Sequence, residues 1–395
     1  MGQFAIDPLE RAKSVVGRAL EEVETPALVV DLDIMIANMD KMRDFLRSSG
    51  AGVGVRPHSK THKTPEIAKM HLDRGALGIC CAKLGEAEAM VDAGIRDILI
   101  ASQIVGPNKI RRLVSLSKRA DIKVAVDSRE NLEDISGESR ALGGKVGIVI
   151  ETEVVMGRCG VRTYEEAVEI AEAAASLPGV FYAGLMGYEG HAVFIQDLEE
   201  RRKAAESAYD RLLGFRDAVK ERAGLDSVIV STGGTGTYLF GGRRAGITDI
   251  EAGSYIFMDA RYAGIEGMDF LNSLAVLTTI VSHPENDLYV CDAGLKSMTA
   301  EFGPACALPS YGLKVAGMSE EHVKLRPDSE PVDLPGIRVL DRKYASGRGR
   351  PAVGDKILLI PSHCCTTVNL HDVIYAVRDG RVEDVFRVSA RGRFA

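Results

Sequence analysis

Short apolar runs alternate with longer amphipathic ones through the middle of the chain. The apolar runs are Gly52–Arg56, Leu77–Ala82, Asp97–Ser102, Ile122–Asp127, Val146–Glu151, Ala183–Tyr188, Ser227–Thr232 and Asp249–Gly253. Between them, Pro65–Arg74, Gly85–Ala93, Pro107–Arg119, Arg129–Leu142, Tyr164–Ser176 and Asp197–Arg222 carry helical periodicity. Most of the apolar runs are continuous, which is how strands of a parallel sheet covered on both faces look. Eight βα units in roughly 210 residues predict an α/β fold with a TIM-like (β/α)8 barrel. A doubly wound open sheet is the alternative. An earlier strand, Thr25–Asp31, and the helix Leu32–Ser48 lead into it. Past residue 268 the texture changes. Ser273–Ser282, Asp287–Cys291, Ile337–Leu340, Lys356–Ile360, Val373–Arg378 and Val382–Val388 predict strands, with a hairpin turn at Arg378-Asp379-Gly380-Arg381. Glu320–Pro335, rich in Pro, Glu and Asp, predicts an exposed loop. The expected domains are a barrel over 25–268 and an all-β domain made of 1–24 and 269–395.

Composition narrows the function classes. The 395 residues are 46% hydrophobic and 27% charged, as in ordinary globular proteins, and the net charge of -7 argues against a nucleic-acid partner. No apolar run approaches the ~20 residues that span a membrane. Met1–Val15 lacks the basic-then-apolar layout of a signal peptide, so a cytoplasmic location is expected. The seven cysteines include two adjacent pairs and no CxxC, which is not a disulfide framework. Cys80, Cys159 and Cys291 are expected to be buried small hydrophobes.

The first candidate chemistry is Val53-Gly-Val-Arg-Pro-His-Ser-Lys60-Thr-His-Lys63. It places Lys60 in a turn after the first barrel strand, and Thr64-Pro65 then starts a helix. That end of a parallel strand is where barrels do chemistry. A lysine crowded by cations has a lowered pKa and suits Schiff-base formation. A solvated basic turn is the alternative. The other strand ends deliver Lys83, Ser102, Gln103, Asp127, Glu151, Glu153, Tyr188, Glu189 and His191. After the seventh strand, Ser231-Thr-Gly-Gly-Thr-Gly-Thr237 holds three glycines and four hydroxyls. Such a turn presents backbone N–H groups to a phosphate, and Gly253-Ser254 one strand later would supplement it. A lysine at strand one and a phosphate cradle at strands seven and eight are neighbours in a closed barrel. That layout suits pyridoxal phosphate. Arg158, after strand five, would face the pyridine nitrogen and weaken the ring as an electron sink, or else form a surface ion pair.

The second constellation is Pro361-Ser-His363-Cys364-Cys365-Thr-Thr-Val-Asn369-Leu-His371-Asp372. On an extended backbone His363 and Cys365 point to one face. Imidazole plus thiolate suits zinc, and less well manganese or magnesium. Two protein ligands leave positions open for substrate. A buried cysteine pair beside a core histidine is the alternative.

These motifs together resemble fold-type III pyridoxal-phosphate enzymes, specifically the D-threonine aldolase, 3-hydroxy-D-aspartate aldolase and D-serine dehydratase group. The matching residues are Arg56-Pro-His-Ser-Lys60-Thr-His-Lys63, Cys80-Cys-Ala-Lys-Leu-Gly-Glu86, Gly157-Arg-Cys-Gly160, Thr232-Gly-Gly-Thr-Gly236, Gly253-Ser-Tyr-Ile-Phe-Met-Asp259, Tyr262, His363-Cys-Cys365, Asn369-Leu-His-Asp372 and Val388-Ser-Ala-Arg-Gly392. The resemblance implies an alanine-racemase-like barrel plus a β domain, usually as a homodimer. Lys60 would carry the cofactor, and Arg158, Tyr188 and Tyr262 would contact it. Thr235, Gly236, Gly253 and Ser254 would hold its phosphate. His363 and Cys365 would bind the divalent metal. Where aldolases of this type carry aspartate, this chain has Cys365, as D-serine dehydratases do; where they often carry glutamine, it has Ala82. Gly187-Tyr-Glu-Gly190 and the Thr232–Tyr238 loop resemble the aldolase branch.

The expected reaction is retro-aldol cleavage of a D-β-hydroxy-α-amino acid, of the D-threonine or 3-hydroxy-D-aspartate type, to glycine and an aldehyde. His58, His62 and His191 are the candidate bases. The alternative is a dehydratase giving a 2-oxo acid and ammonia. Less expected are a racemase, with Tyr311 as its base, and a non-catalytic pyridoxal-phosphate carrier.

Overall fold

The computed structural model describes residues 7–330 and 334–395. The chain forms two compact units. One comprises Lys41–Lys60, Pro65–Gly253 and Gly392–Ala395; the other comprises the chain through Asp40, Thr61–Thr64 and Ser254–Arg391. The division at 25 and 268 expected from the sequence differs from this. It assigned Ala27–Asp31 (β1) to the barrel domain, whereas β1 pairs antiparallel with Leu274–Glu285 (β10) and parallel with Val373–Arg378 (β16).

The first unit is the barrel. Its strands are Gly54–Val55 (β2), Ile79–Cys81 (β3), Asp97–Ile100 (β4), Asp121–Val126 (β5), Val146–Glu151 (β6), Val180–Met186 (β7), Ile229–Thr232 (β8) and Asp249–Ile250 (β9). They pair in the order β2-β9-β8-β7-β6-β5-β4-β3, all parallel. The two end strands also meet, through the parallel bridge His58↔Cys80 and the bonds Leu77 N–H to Val55 O and Cys80 N–H to Pro57 O. Closure excludes the open doubly wound sheet. Leu99, Ala125, Val149, Ala183 and Ile229, one from each of five consecutive strands, pack as one cluster. Continuous apolar runs are what a strand buried on both faces requires. Arg56 is 4% exposed and binds Asp249 at 2.8 Å and Asp97 at 2.6 Å, so its charge is buried but paired.

The second unit holds the other strands: Leu288–Cys291 (β11), Cys306–Ala307 (β12), Leu313–Met318 (β13), Val323–Pro327 (β14), Lys356–Ile360 (β15) and Arg381–Arg387 (β17), with β1, β10 and β16. The hairpin turn between β16 and β17 is as expected, with Asp379 at φ 48° and Gly380 at φ 73°.

Three expectations fail here. Ile337–Leu340 is not a strand but part of the helix Pro335–Tyr344. Pro335 takes the first turn, where its missing N–H costs nothing, and Ile337 and Leu340, three apart, share the buried face. The Glu320–Pro335 loop contains β14, in which Val323 and Leu325 alternate inward beneath charged neighbours; its residues 331–333 lie outside the described residues. The all-β reading of the last third therefore misses at least one long helix. All seven cysteines are free, but Cys159 is only half-buried.

Candidate active site

The barrel unit collects the first group of residues at the C-terminal ends of its strands. Lys60 sits in a single 3-10 turn, Ser59–Thr61, just past β2. The turn is pinned by Ser59, whose hydroxyl donates to the buried Glu86 at 3.0 Å and to Cys80 O at 3.1 Å. Lys60 Nζ lies 5.7 Å from the centre of the Tyr188 ring, and the Arg158 guanidinium lies 5.8 Å from the same centre. Arg158 is half exposed and paired with Glu151 at 3.2 Å, and Gln103 Nε2 donates to the other oxygen of Glu151 at 2.6 Å. The aromatic face between two cations makes a flat platform beside the lysine.

Glu251, which sequence reasoning passed over inside the predicted strand Asp249–Gly253, is buried next to these groups. Ser231 Oγ donates to it at 2.7 Å and Cys80 Sγ at 3.2 Å, and the donor atoms of His58, Cys80 and Glu251 all lie within 4.8 Å of one another. Burial raises its carboxyl to about 7, against the smaller opposing pulls of its hydrogen bonds and of Lys60. Cys80 is thus a hydrogen-bond donor as well as a buried hydrophobe.

The glycine loop is built on another carboxylate, Glu189, one of the residues delivered by the strand ends. Glu189 is fully buried and accepts from Tyr209 OH at 2.9 Å, Thr232 Oγ1 at 2.9 Å, Thr237 Oγ1 at 2.5 Å and Gly233 N–H at 3.1 Å. Three of the loop's N–H groups are used internally: Gly233 on Glu189, Gly234 on Thr237 Oγ1 at 3.1 Å and Thr237 on Gly234 O at 3.2 Å. Thr235 and Gly236, both buried, form the tip. A Cβ on Gly236 would stand 2.0 Å from Val193 O, and one on Gly234 2.9 Å from Val193 Cγ1. Only glycine fits there. A shaped glycine cradle, an aromatic platform and a lysine in one unit fit pyridoxal phosphate. Gly253 is the last residue of the unit's main segment; His191, also in this unit, is exposed.

The sheet unit gathers the second group: His62, Ser254, Tyr262, His363 and Cys365. The route differs from the extended-strand expectation. After β15 ends at Ile360, the chain turns, His363 becomes the extended N-cap residue (φ -143°), and Cys364–Val368 is helical. The ligand atoms of His363, Cys364 and Cys365 still lie within 4.8 Å of one another. Asp259, fully buried, accepts from His363 Nδ1 at 2.9 Å and from Cys364 N–H at 3.1 Å. Its other oxygen caps the short helix Ala260–Ala263 through Tyr262 N–H at 2.8 Å. With Nδ1–H given to a carboxylate, Nε2 is the nitrogen left for an ion, which would displace its proton on binding. Cys365 Sγ has Thr61 Oγ1 at 3.4 Å and Ser254 Oγ at 3.6 Å. Burial pulls the His363 imidazole down, but the Cys365 thiolate and Asp259 outweigh it and bring it up to about 10. An imidazole held by a carboxylate beside a thiolate is a donor set that fits a divalent metal.

His62 is buried, which lowers its imidazole to about 3. Thr64 N–H donates to its Nδ1 at 3.0 Å. That bond places the ring proton of neutral His62 on Nε2, so the outer nitrogen donates and does not accept. His62 therefore fits poorly as a base. The Tyr262 ring centre is 6.5 Å from that of His363. Tyr311 is 2% exposed, and Leu358 N–H donates to its hydroxyl at 3.3 Å, so it presents no free base at a surface.

Two stretches of the chain match known families. Residues 30–261 match the family described as alanine racemase, N-terminal domain, and 273–377 match the putative serine dehydratase domain. The chain belongs to the alanine-racemase-like family, whose cofactor is pyridoxal phosphate, and within it to the D-threonine aldolase, 3-hydroxy-D-aspartate aldolase and D-serine dehydratase group. A D-threonine aldolase of Arthrobacter sp. is 38% identical, over 95% of this chain and 95% of its own. A 3-hydroxy-D-aspartate aldolase of Paracoccus denitrificans is 36% identical, over 94% and 93%. The crystal structure of D-threonine aldolase from Filomicrobium marinum superposes with a TM-score of 0.86 at 34% identity, over 94% of this chain and 96% of that one. More distant is a D-threo-3-hydroxyaspartate dehydratase of Delftia sp., 28% identical over 87% and 92%. These relatives are aldolases and dehydratases, hence lyases. No described helix is long and apolar enough to cross a membrane.

Proposed function

We propose that this protein is a lyase that cleaves a D-configured β-hydroxy-α-amino acid to glycine and an aldehyde, using pyridoxal phosphate and a divalent metal. The observation that carries this reading is the His363–Asp259 pair beside Cys365, in a chain that is 38% identical to a D-threonine aldolase over 95% of its length. When bound, pyridoxal phosphate supplies a sink for the electron pair left at Cα, and zinc, manganese or magnesium supplies a Lewis acid for the β-hydroxyl.

The chain's own residues hold these groups. Lys60 would carry the cofactor, and Tyr188, Arg158 and Tyr262 would contact it. Thr235, Gly236, Gly253 and Ser254 would hold its phosphate, with Glu189 fixing the loop that carries Thr235 and Gly236. His363 and Cys365 would hold the metal. Glu251 holds or releases a proton near neutral pH within reach of the Lys60 charge. Of the candidate bases, His191 has the better claim to the β-hydroxyl proton, because backbone N–H groups donate to Nδ1 of both His62 and His58 and leave each ring a donor at Nε2. The protein is expected to work as a homodimer in the cytoplasm.

One observation favours a second reading. The thiolate ligand Cys365 is the residue that D-serine dehydratases carry, and β-elimination would give a 2-oxo acid and ammonia. Incubation with D-threonine separates the two. Glycine and acetaldehyde in equal amounts support cleavage; 2-oxobutyrate and ammonia without glycine would overturn it. L-threonine should give neither.

A further inference from the structure

An exposed apolar side chain on its own carries little meaning. Phe302 is 41% exposed, but it is not alone. Its ring meets the imidazole of His363 edge to face, with centres 5.1 Å apart and planes at 67°. The next residue back, Glu301, is exposed, and Thr366 Oγ1 donates to its carboxylate at 3.1 Å, fixing a negative charge to the turn that follows His363. Tyr262 adds a second ring at 6.5 Å.

The retro-aldol reading places the β-hydroxyl on the metal that His363 holds. The β-substituent is bonded to the same carbon as that hydroxyl, so it lies among the groups that surround His363. One of those groups is the Phe302 ring, and the Glu301 carboxylate adjoins it in the chain, held on Thr366 three residues past His363. A ring attracts aryl and alkyl groups, and a fixed carboxylate repels another one. We infer that Phe302 and Glu301 select the β-substituent, favouring aryl over methyl and either of these over carboxylate. The inference rests on the retro-aldol reading of the site.

The test is a comparison of kcat/KM on three substrates: D-configured 3-phenylserine, D-threonine and 3-hydroxy-D-aspartate. In each, the Cα–Cβ bond breaks, the hydroxyl loses its proton and Cα gains one. Glycine is released with benzaldehyde, acetaldehyde or glyoxylate respectively. The holoenzyme should prefer the first two over 3-hydroxy-D-aspartate by about tenfold or more. Phe302→Ala should lower phenylserine cleavage about tenfold relative to threonine, the scale of one aromatic contact. Glu301→Gln should raise 3-hydroxy-D-aspartate cleavage relative to threonine. Calorimetry supplies a readout without turnover: D-phenylalanine should bind the holoenzyme more tightly than D-aspartate, and Phe302→Ala should shrink the difference. A wild-type preference for 3-hydroxy-D-aspartate overturns the inference and leaves the retro-aldol reading intact, and so does an equal loss on phenylserine and threonine in Phe302→Ala. No glycine from any of the three would overturn both.

Discussion

The Lys60 region and the His363 region are assembled in opposite ways. Around Lys60, each strand end contributes a residue or two: His58 and Lys60 after β2, Cys80 in β3, Tyr188 after β7, Ser231 in β8 and Glu251 after β9. Barrel closure brings them together, so this site is a property of topology. Around His363, the two proposed ligands, His363 and Cys365, stand two residues apart at one helix start, with Asp259 from one other turn accepting from His363 and from Cys364 N–H. That site is a property of local backbone. The difference teaches where each is fragile. The first tolerates changes in any one loop better than loss of its lysine. The second depends on a single second-layer carboxylate.

Substitutions can break this comparison, beginning with the largest effect. Lys60→Ala should abolish glycine release and the visible absorption of the bound cofactor, while leaving metal content at the wild-type level. His363→Ala or Cys365→Ala should do the converse, with cofactor absorption kept, metal lost and turnover down by at least about a hundredfold. If either variant lost both groups together, the two regions would not be separate sites. Asp259→Asn keeps the shape but removes the acceptor for His363, and metal affinity should fall about 10- to 100-fold. Glu189→Ala leaves three hydroxyls and the Gly233 N–H without their shared acceptor. It should weaken cofactor retention and destabilise the barrel by about 2–4 kcal/mol, measured by denaturant unfolding of the apoprotein. The smallest effects concern protons. A buried His62 at about 3 in the folded chain, against about 6.5 unfolded, takes up fewer protons than the unfolded chain between those values. Stability should therefore fall as pH drops from about 6.5 toward 3, and His62→Gln, which keeps a donor near Nε2, should remove that dependence while retaining more activity than His62→Ala.

Legibility in the sequence follows the same division. All eight barrel strands were found within a few residues, because burial on both faces leaves a continuous apolar signature that needs no tertiary knowledge. Lys60, Tyr188 and the Thr232–Thr237 loop were visible as polar breaks in that signature. Glu189 is visible as a strand-end residue, but its role as the shared acceptor of the glycine loop is not; Glu251 is hidden inside the predicted strand Asp249–Gly253, which in the fold ends at Ile250. Asp259 is legible only as the last residue of the Gly253–Asp259 motif; its value lies in reaching His363, 104 positions along the chain. The sheet unit was read less well. Ile337–Leu340 reads as a strand because its apolar residues suit either period over four positions, although it lies within the helix Pro335–Tyr344, and β14 is hidden by the charges on its outward face. The spacing of His363 and Cys365 suggests an extended strand, but a helix start brings their donor atoms together.

The central claim is that bound metal and bound cofactor act together to split the Cα–Cβ bond. The most direct measurement is glycine released from D-threonine by chelator-treated holoenzyme as zinc, manganese or magnesium is added back, with metal per chain determined on the same samples. The account predicts that turnover follows metal occupancy, with one acetaldehyde per glycine. Turnover indifferent to the chelator, or 2-oxobutyrate and ammonia in place of glycine, would contradict it.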